Sequence, residues 1–313
     1  MEHYVTLFNK LFLPQGLALH SSLERHAGSY TLWILCVDET TYDVLGGLNL
    51  PNIRLILLSA VETPDLVRVR KERTIGEYCW TLTPFAPRFV FEADSSVSRV
   101  TYLDADLFLL RSPSPVFQEL ERSGKQVLIT DHAYAPEHDQ SALSGRYCVQ
   151  FMAFYRGKSE VARKWWEDRC VEWCFNRVED GKFGDQKYLD DWPERFPDLV
   201  HVAKEDGQFL APWNATRFPY SKAVVFHFHG LRLLAGEKVL LTEKYALPDA
   251  LVQHIYGPYL AALKYQVRVL ATIGFKADPQ DSIGLLRLAK GWFRGALRQS
   301  WLLKTLRVGT FPG

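Results

Sequence analysis

Two aspartates, Asp104 and Asp106, stand one residue apart inside an apolar segment that covers residues 100–110. Side chains at positions i and i+2 of an extended backbone point to the same side, so the two carboxylates lie together. Burying two acids is costly unless a positive charge compensates them. Mg²⁺ and Mn²⁺ prefer carboxylate oxygens and keep coordination positions for the phosphates of a substrate. The pair predicts a site for such a cation; the alternative is a solvated turn at a strand end.

Two further groups carry chemistry. Asp185 and Gln186 stand at the predicted start of a short helix, where an acid can serve either a reaction or only the helix N-terminus. His227 and His229 project from one side of an apolar strand over residues 223–230, which ends in glycine. A lone histidine is usually structural, whereas a pair at a strand end indicates a site.

The elements that position these residues alternate between strands and helices. Fully apolar strands favour a parallel sheet with helices on both faces, and ligands bind beyond the carboxyl ends of such strands. Phe8, Asp38 and Asp104 all fall at strand ends, so we expect them to line one crevice. Strands are predicted over 4–8, 31–37, 53–58, 126–130, 147–155 and 223–230, besides the strand before Asp104, and helices over 16–26, 77–91, 117–122 and 160–178.

A basic stretch covers residues 67–73. One interpretation is a solvated helix face. The functional interpretation is that Arg73 or a neighbour reaches a diphosphate in the crevice.

The composition of the chain restricts the classes of function that it can have. The 313 residues are 47% hydrophobic, which is ample for a core, and the net charge of +1 gives no general signal for nucleic acid or membrane. No apolar run approaches the ~18 residues that span a bilayer, and no signal peptide is recognised. The five cysteines are odd in number and mostly in apolar contexts, which predicts reduced thiols and a cytoplasmic location. A zinc site at Cys170 and Cys174 is a minor alternative.

The C-terminal segment differs from the rest of the chain. Residues 282–313 contain six cations and no acid, and residues 282–308 are predicted to form a basic helix that also carries tryptophan. Such a helix suits the anionic surface of the inner face of the cytoplasmic membrane, and docking on the protein's own body is the alternative. We therefore divide the chain into a catalytic domain (1–245), a helical extension (246–281) and a basic amphipathic tail (282–313).

Over residues 4–235, in matching order, these segments resemble metal-dependent nucleotide-sugar glycosyltransferases of the GT-A fold. Glycogenin-like and galactosyltransferase-like enzymes are similar, and so is a bacterial group of nucleotide-diphospho-sugar transferases, which shares the runs "DGKFGDQKYLDDWP" and "APWN". The motifs are a (Y/F)LDAD at residues 102–106, a DQ helix start at 185–186, a P-x-x-N turn near 211–214 and an HFxG at 227–230.

The resemblance implies a mixed, mostly parallel sheet flanked by helices, and a glycosyltransferase that moves a sugar from a nucleotide-diphosphate donor, with a UDP-sugar favoured, to a saccharide or lipid-linked glycan acceptor. It also implies roles for single residues. Asp104, Asp106 and His227 would hold Mn²⁺ or Mg²⁺, Asp104 would also contact the ribose, and Asp185 and Gln186 would face the donor sugar and the reacting centre. The nucleotide and its diphosphate would lie near Thr6, Leu7, Phe8, Asp38, Arg73 and Arg232.

Two positions depart from the family pattern, and two rival functions stay open. Leu233 stands where a lysine often grips the diphosphate, and residues 148–150 (Cys-Val-Gln) replace an N-(A/S)-G. A haloacid-dehalogenase-type phosphatase would use Asp104 and Asp106 with a GDx₄DD metal motif at residues 184–191. A catalytically inactive nucleotide-sugar-binding module is the other alternative.

Overall fold

A computed structural model describes residues 1–204, 206–235, 238–242, 244–280 and 307–310. Its strands are β1 (Glu2–Phe8), β2 (Tyr30–Cys36), β3 (Ile53–Leu57), β4 (Arg99–Leu103), β5 (Leu107–Leu109), β6 (Val127–Asp131), β7 (Tyr147–Tyr155), β8 (Val200–Val202), β9 (Phe209–Leu210), β10 (Val225–His227), β11 (Arg232–Leu233), β12 (Lys238–Thr242) and β13 (Arg307–Thr310).

The α-helices are α1 (Leu13–His26), α2 (Glu39–Leu48), α3 (Leu58–Val61), α4 (Pro64–Arg70), α5 (Ile75–Leu82), α6 (Phe85–Ala93), α7 (Ser114–Ser123), α8 (Ser141–Ser144), α9 (Glu160–Glu172), α10 (Trp192–Arg195), α11 (Asp249–Leu251) and α12 (Gly257–Thr272). Short 3₁₀ helices cover Lys10–Phe12, Pro136–His138, Gln186–Asp191 and Tyr220–Lys222, and a π-helical turn covers Val252–Tyr256.

Seven strands form the main sheet in the order β3-β2-β1-β4-β7-β6-β8. The pairs among β3, β2, β1 and β4 are parallel, as is β6 with β8, whereas β7 runs antiparallel to both β4 and β6. The prediction of a mixed, mostly parallel sheet is confirmed. The carboxyl ends of β1, β2 and β4 therefore meet at one edge.

Helices cover both faces of this sheet, and β1 shows how the sequence divides between them. Val5 and Leu7 pack with α4, α5, α6 and α9 on one face, while Tyr4 and Phe8 pack with α1 and α7 on the other. The alternation follows from the two-residue period of a strand. Both faces are apolar because both are buried, which explains the continuous hydrophobic strands of the sequence.

A second, three-stranded sheet, β5-β10-β9, extends the structure from the end of β4. Helix α12 packs against α1, and the aromatic residues of this region form a third core with β10. The helical segment predicted within residues 246–281 thus packs, in its described part, against α1 and β10. Among the described residues, no helix is long and apolar enough to cross a bilayer.

Three sequence predictions of elements need correction. The helix predicted over 160–178 ends at Glu172, because Trp173 adopts an extended backbone. The strand predicted over 223–230 covers only Val225–His227. Residues 282–306 of the predicted C-terminal helix lie outside the described residues, but residues 307–310 form β13 and pair with β12, so that prediction is wrong at its end.

Candidate functional site

The two aspartates occupy the turn between β4 and β5, and strand pairing brings His227 to them. The backbone N–H of Asp104 donates to the carbonyl of Gln150 on β7 at 3.0 Å, which fixes the start of the turn. Strand β10 runs antiparallel to β5 with His227 opposite Leu107, and Phe228 N donates to Asp106 O at 3.0 Å. Two antiparallel pairings therefore converge on this turn.

The three side chains form a compact group of possible metal ligands. His227 Nε2 lies 3.1 Å from Asp106 Oδ1 and 3.7 Å from Asp104 Oδ2, and one ligand atom from each residue falls within 4.8 Å of the others. Tyr102 OH donates to Asp104 Oδ1 at 2.9 Å. Two carboxylates and one imidazole form a donor set that fits Mn²⁺ or Mg²⁺.

The charges of this group also fit a cation. Burial raises the pKa of Asp104, and Asp106 adds to the rise while His227 opposes it. Burial acts in the same direction on Asp106, but the ion pair with His227 prevails and lowers its pKa to about 2. Burial disfavours the charged form of His227, yet its contact with Asp106 raises the pKa well above the usual value. The proton on His227 thus occupies the place that a divalent cation would take.

The triad lies on the wall of a cavity of about 490 Å³, which is within the range of small-molecule sites. Leu7 and Phe8 border it at the carboxyl end of β1, and Ile75 and Trp80 border it from α5. Helix α1 can approach Phe8 only because residue 16 is glycine: a Cβ there would lie 2.3 Å from the phenyl ring. The structure therefore brings Leu7 and Phe8 to the same cavity as the acids.

Asp185 and Gln186 also line this cavity. Asp185 is buried, its Oδ2 has no hydrogen-bond partner within the described chain, and burial followed by the charge of Asp104 raises its pKa to about 8. Its backbone is fixed by Trp166 Nε1, which donates to Asp185 O at 2.8 Å. Gln186 Nε2 donates to Ser144 O at 2.7 Å. An acid with an unsatisfied oxygen facing a cavity is a candidate for ligand contact.

Three predicted nucleotide-site residues are not part of the lining of the cavity in the described chain. Thr6 is buried and lies on the face of β1 that it shares with Tyr4 and Phe8 under α1. Asp38 caps α2: its Oδ1 accepts from Thr41 N at 2.7 Å, and its Oδ2 accepts from Lys10 N at 3.0 Å. These placements correct both predictions: Thr6 is fully buried within β1, and the Asp38 carboxylate is used by the start of α2 and by the N–H of Lys10.

Arg73 is the third. Its guanidinium donates to Thr81 Oγ1 on α5 and to Val171 O on α9, the latter at 2.9 Å, and lies over the ring of Phe175 at 5.4 Å. The prediction that Arg73 reaches a diphosphate is therefore wrong for this conformation. It joins two helices and the segment after α9 behind the cavity.

Two cations, Arg232 and Lys244, line the cavity among the described residues. Arg232 lies close enough to Asp106 to help lower its pKa. Lys244, which follows β12, was missed from the sequence, because nothing in its local pattern indicates that the β11–β12 hairpin turns it back toward the site.

The sequence also left unrecognised a group of rings on the cavity wall. We call the aromatic wall the set His132, Tyr134, Trp213, His229 and Tyr245. The sequence had indicated two of its members, His229 as the partner of His227 and Trp213 in the "APWN" segment, but not the group. Asn214 there is structural, because its side chain accepts from Ala211 N at 2.8 Å and donates to His132 O at 2.9 Å.

The phosphatase alternative required Asp190 and Asp191 as metal ligands. Asp190 accepts from Arg146 N at 2.7 Å and pairs with Lys187, and Asp191 pairs with Arg195. Neither aspartate lines the cavity in the described chain. The haloacid-dehalogenase interpretation therefore lacks its metal motif and is wrong.

No family model matches the chain. It is 31% identical over 296 residues to the uncharacterized protein YfnF of Bacillus subtilis, with 88% of this chain and 95% of YfnF covered. It is 27% identical over 281 residues to YfnD of the same organism, with 84% and 88% covered. Among solved structures, the glycosyltransferase GlyE of Streptococcus pneumoniae superimposes with a TM-score of 0.51 at 16% identity, over 90% of this chain and 66% of GlyE.

Proposed function

Because the chain belongs to the same family as YfnF and YfnD and has the GT-A glycosyltransferase fold, we propose that it transfers a sugar from a nucleotide-diphosphate donor to a saccharide or lipid-linked glycan acceptor. The observation that carries the proposal is the group Asp104, Asp106 and His227 on the wall of a cavity of about 490 Å³. A UDP-sugar is the favoured donor.

In this proposal Asp104, Asp106 and His227 hold Mn²⁺ or Mg²⁺. A cation held there would supply Lewis-acid stabilisation of the negative charge on the diphosphate leaving group. The two ionised aspartates offset the charge of the cation, so the charge of the donor's diphosphate needs further positive groups. Arg232 and Lys244 supply two, and both line the cavity.

The remaining roles follow from position. Leu7 and Phe8, at the carboxyl end of β1, border the space for the nucleotide. Asp185 and Gln186 face the donor sugar. In the reaction the bond between the anomeric carbon and the diphosphate breaks with its electron pair on the diphosphate. An acceptor hydroxyl loses its proton to the medium and forms the new glycosidic bond.

Thermal unfolding with UDP, GDP, CDP and dTDP, each with and without Mn²⁺, tests the proposal. A ligand at about 100 times its dissociation constant adds about 2.7 kcal/mol of stability. We expect one diphosphate to raise the melting temperature only when Mn²⁺ is present, and Asp106→Asn to abolish that shift. Asp168→Asn is the control, because Asp168 forms an exposed ion pair with Lys164. Absence of a shift with every diphosphate would contradict the proposal.

A second assay distinguishes an enzyme from an inactive binding module. A panel of UDP-sugars, and of sugars on any other base that the first test selects, is incubated with Mn²⁺ and the release of nucleoside diphosphate is followed. Turnover that requires Asp106 supports the transferase. Tight binding without release of diphosphate from any sugar, in the presence of glycan acceptors, would favour the binding module.

The membrane contact predicted for the tail is a separate proposal. Four of its six cations, Arg287, Lys290, Arg294 and Arg298, are spaced for one face of the predicted helix. Their joint replacement by glutamate should abolish co-sedimentation with anionic liposomes, whereas neutral liposomes should bind neither protein. Replacement is preferable to deletion because β13 pairs with β12. Equal sedimentation of the two proteins would refute the contact.

A further inference from the structure

The aromatic wall joins segments that are far apart in sequence. The rings of His132 and Tyr134 stack at 4.7 Å, and the Trp213 ring lies 5.2 Å from His132, 5.5 Å from His229 and 6.3 Å from Tyr245. Three loops, after β6, after β9 and after β12, contribute these rings, and His229 follows β10. The wall is therefore a feature of the assembled cavity.

The aromatic wall lies next to the candidate metal ligands. The ring of Trp213 lies 5.4 Å from the ring of His227, whose Nε2 contacts Asp106 at 3.1 Å. Leu7 and Phe8 enter the same cavity from β1, the strand next to β4. The metal ligands are thus bordered by the β1 end on one side and by the aromatic wall on another. If the diphosphate of the donor contacts the metal and the nucleotide lies near β1, the donor does not cover the aromatic wall.

The chemistry of the wall is apolar with a few polar tips. Trp213 is only 4% exposed and its Nε1 donates to His132 O at 2.9 Å, so it forms the base of the wall. The partly exposed ring of Tyr134 offers the cavity a hydrocarbon surface. The Tyr245 hydroxyl is within hydrogen-bonding reach of Gln140, which also lines the cavity. Flat rings that combine an apolar body with a polar tip complement ligands that are themselves amphipathic.

We propose that the aromatic wall binds a pyranose ring of the acceptor, which makes the acceptor a saccharide rather than a peptide or a lipid headgroup. A pyranose has apolar C–H faces and a rim of hydroxyl groups. The faces match the ring of Tyr134, which packs against His132 and Trp213, and the rim matches Tyr245 and Gln140. The proposal rests on the proposed function, since it assigns the β1 side of the cavity to the donor. It places the acceptor ring directly beside His227.

The test uses the full-length protein, Mn²⁺ and the diphosphate that stabilises it. Saturation-transfer difference NMR is recorded with the methyl glycosides of glucose, galactose, mannose, rhamnose and N-acetylglucosamine. We expect at least one glycoside to receive saturation at its ring C–H protons. Loss of an aromatic contact in Tyr134→Leu or Tyr245→Leu should weaken that binding about three- to tenfold. Tyr265→Leu is the matched control, because Tyr265 is 64% exposed on α12.

The possible outcomes distinguish a failure of the proposed function from a failure of the assignment of the aromatic wall. If no diphosphate stabilises the wild-type protein, the proposed function fails. The assignment of the aromatic wall is overturned by either of two results, provided that the diphosphate binds equally well to all variants. In the first, no glycoside binds to the wild-type protein. In the second, the wall variants bind the glycoside as tightly as wild type does. Should Tyr245→Leu not fold, Tyr245→Phe and Gln140→Ala remove only the polar tips. Unchanged glycoside binding by both would equally overturn it.

Discussion

Gln150 is the residue whose replacement should report most directly on the candidate metal site. Its side chain lies on β7 beneath the triad, and its Oε1 is 3.1 Å from His227 Nδ1. A carbonyl oxygen can only accept a hydrogen bond, so Nδ1 carries the proton. The lone pair of a neutral His227 is then on Nε2, the atom that faces both aspartates. Gln150 thus selects the tautomer that can bind a metal.

The size of the effect follows from this arrangement. Gln150→Leu keeps a buried apolar side chain but removes the acceptor, so the other tautomer is no longer disfavoured and Nδ1–H loses its amide partner when Nε2 binds a metal. Loss of such an outer partner typically weakens metal affinity about 10–100-fold. That corresponds to about 1.4–2.8 kcal/mol of binding free energy. Gln150→Glu keeps an acceptor and should stay within about threefold of wild type.

Isothermal titration with Mn²⁺ at fixed pH measures these affinities. Gln15→Leu is the matched control, because Gln15 is also a buried glutamine with one bonded side-chain atom, Nε2 to Gln280 at 2.8 Å, and one unpaired atom. It should lose stability without losing metal. The reasoning would be refuted if Gln150→Leu bound Mn²⁺ as tightly as wild type, or if Gln15→Leu lost as much affinity.

Three further predictions concern pH and packing. Mn²⁺ must displace the proton that the raised pKa keeps on His227. Its apparent affinity should therefore rise with pH, by at most about tenfold per pH unit, until the pH reaches that pKa, and a flat titration profile would exclude His227 as a ligand. Asp185, with its pKa raised to about 8, holds a proton in the native state that the unfolded chain releases above about pH 4. In EDTA, wild type should therefore lose on the order of 2–5 kcal/mol relative to Asp185→Asn as pH rises from 4 to 8, measured by urea unfolding; parallel curves would contradict the shift. Arg73→Leu removes hydrogen bonds to Thr81 and Val171. This substitution should lower the free energy of unfolding by about 2–3 kcal/mol and leave the diphosphate-dependent thermal shift intact. Loss of that shift in a folded variant would show that Arg73 contributes to diphosphate binding after all.

The fold could be predicted from the sequence to the extent that local patterns determine it. The apolar strands and their order along the chain gave the mostly parallel sheet, because strands buried on both faces need continuous hydrophobic runs. The direction of β7 could not be obtained in this way, since an apolar strand has the same pattern in either direction. Helix α9 ends earlier than predicted because Trp173 continues the hydrophobic pattern after its backbone leaves the helix.

Placement of side chains was harder to predict than placement of elements. Asp38 does stand at a strand end, but the helix that begins after it uses the carboxylate as a cap. Thr6 was assigned to the site with its neighbours, but it lies two residues before the end of β1 and is fully buried, whereas Leu7 and Phe8 at the strand end border the cavity. Sequence proximity to a strand end therefore indicates a site, while the direction of each side chain depends on local bonds.

The aromatic wall and Lys244 show a second limit. Their residues come from loops whose proximity depends on the β5-β10-β9 sheet and the β11–β12 hairpin, and no short pattern predicts those pairings. Each of the four segments that form the wall carries an aromatic ring, but an aromatic residue in a sequence is as consistent with a core as with a ligand site. Only the assembled cavity separates the two.

The sequence departs from the family pattern at residues 148–150, and the strand pairings explain the role of Gln150 there. The antiparallel pairing of β4 with β7 places Gln150 so that its carbonyl receives the N–H of Asp104 and its side chain receives that of His227. One residue thus orients ligands from two different sheets. A glycine at position 150 could accept the backbone hydrogen bond but could not select the tautomer of His227. We therefore expect Gln150 to act as an outer partner of the candidate metal site, and its replacement should weaken Mn²⁺ binding more than it destabilises the fold.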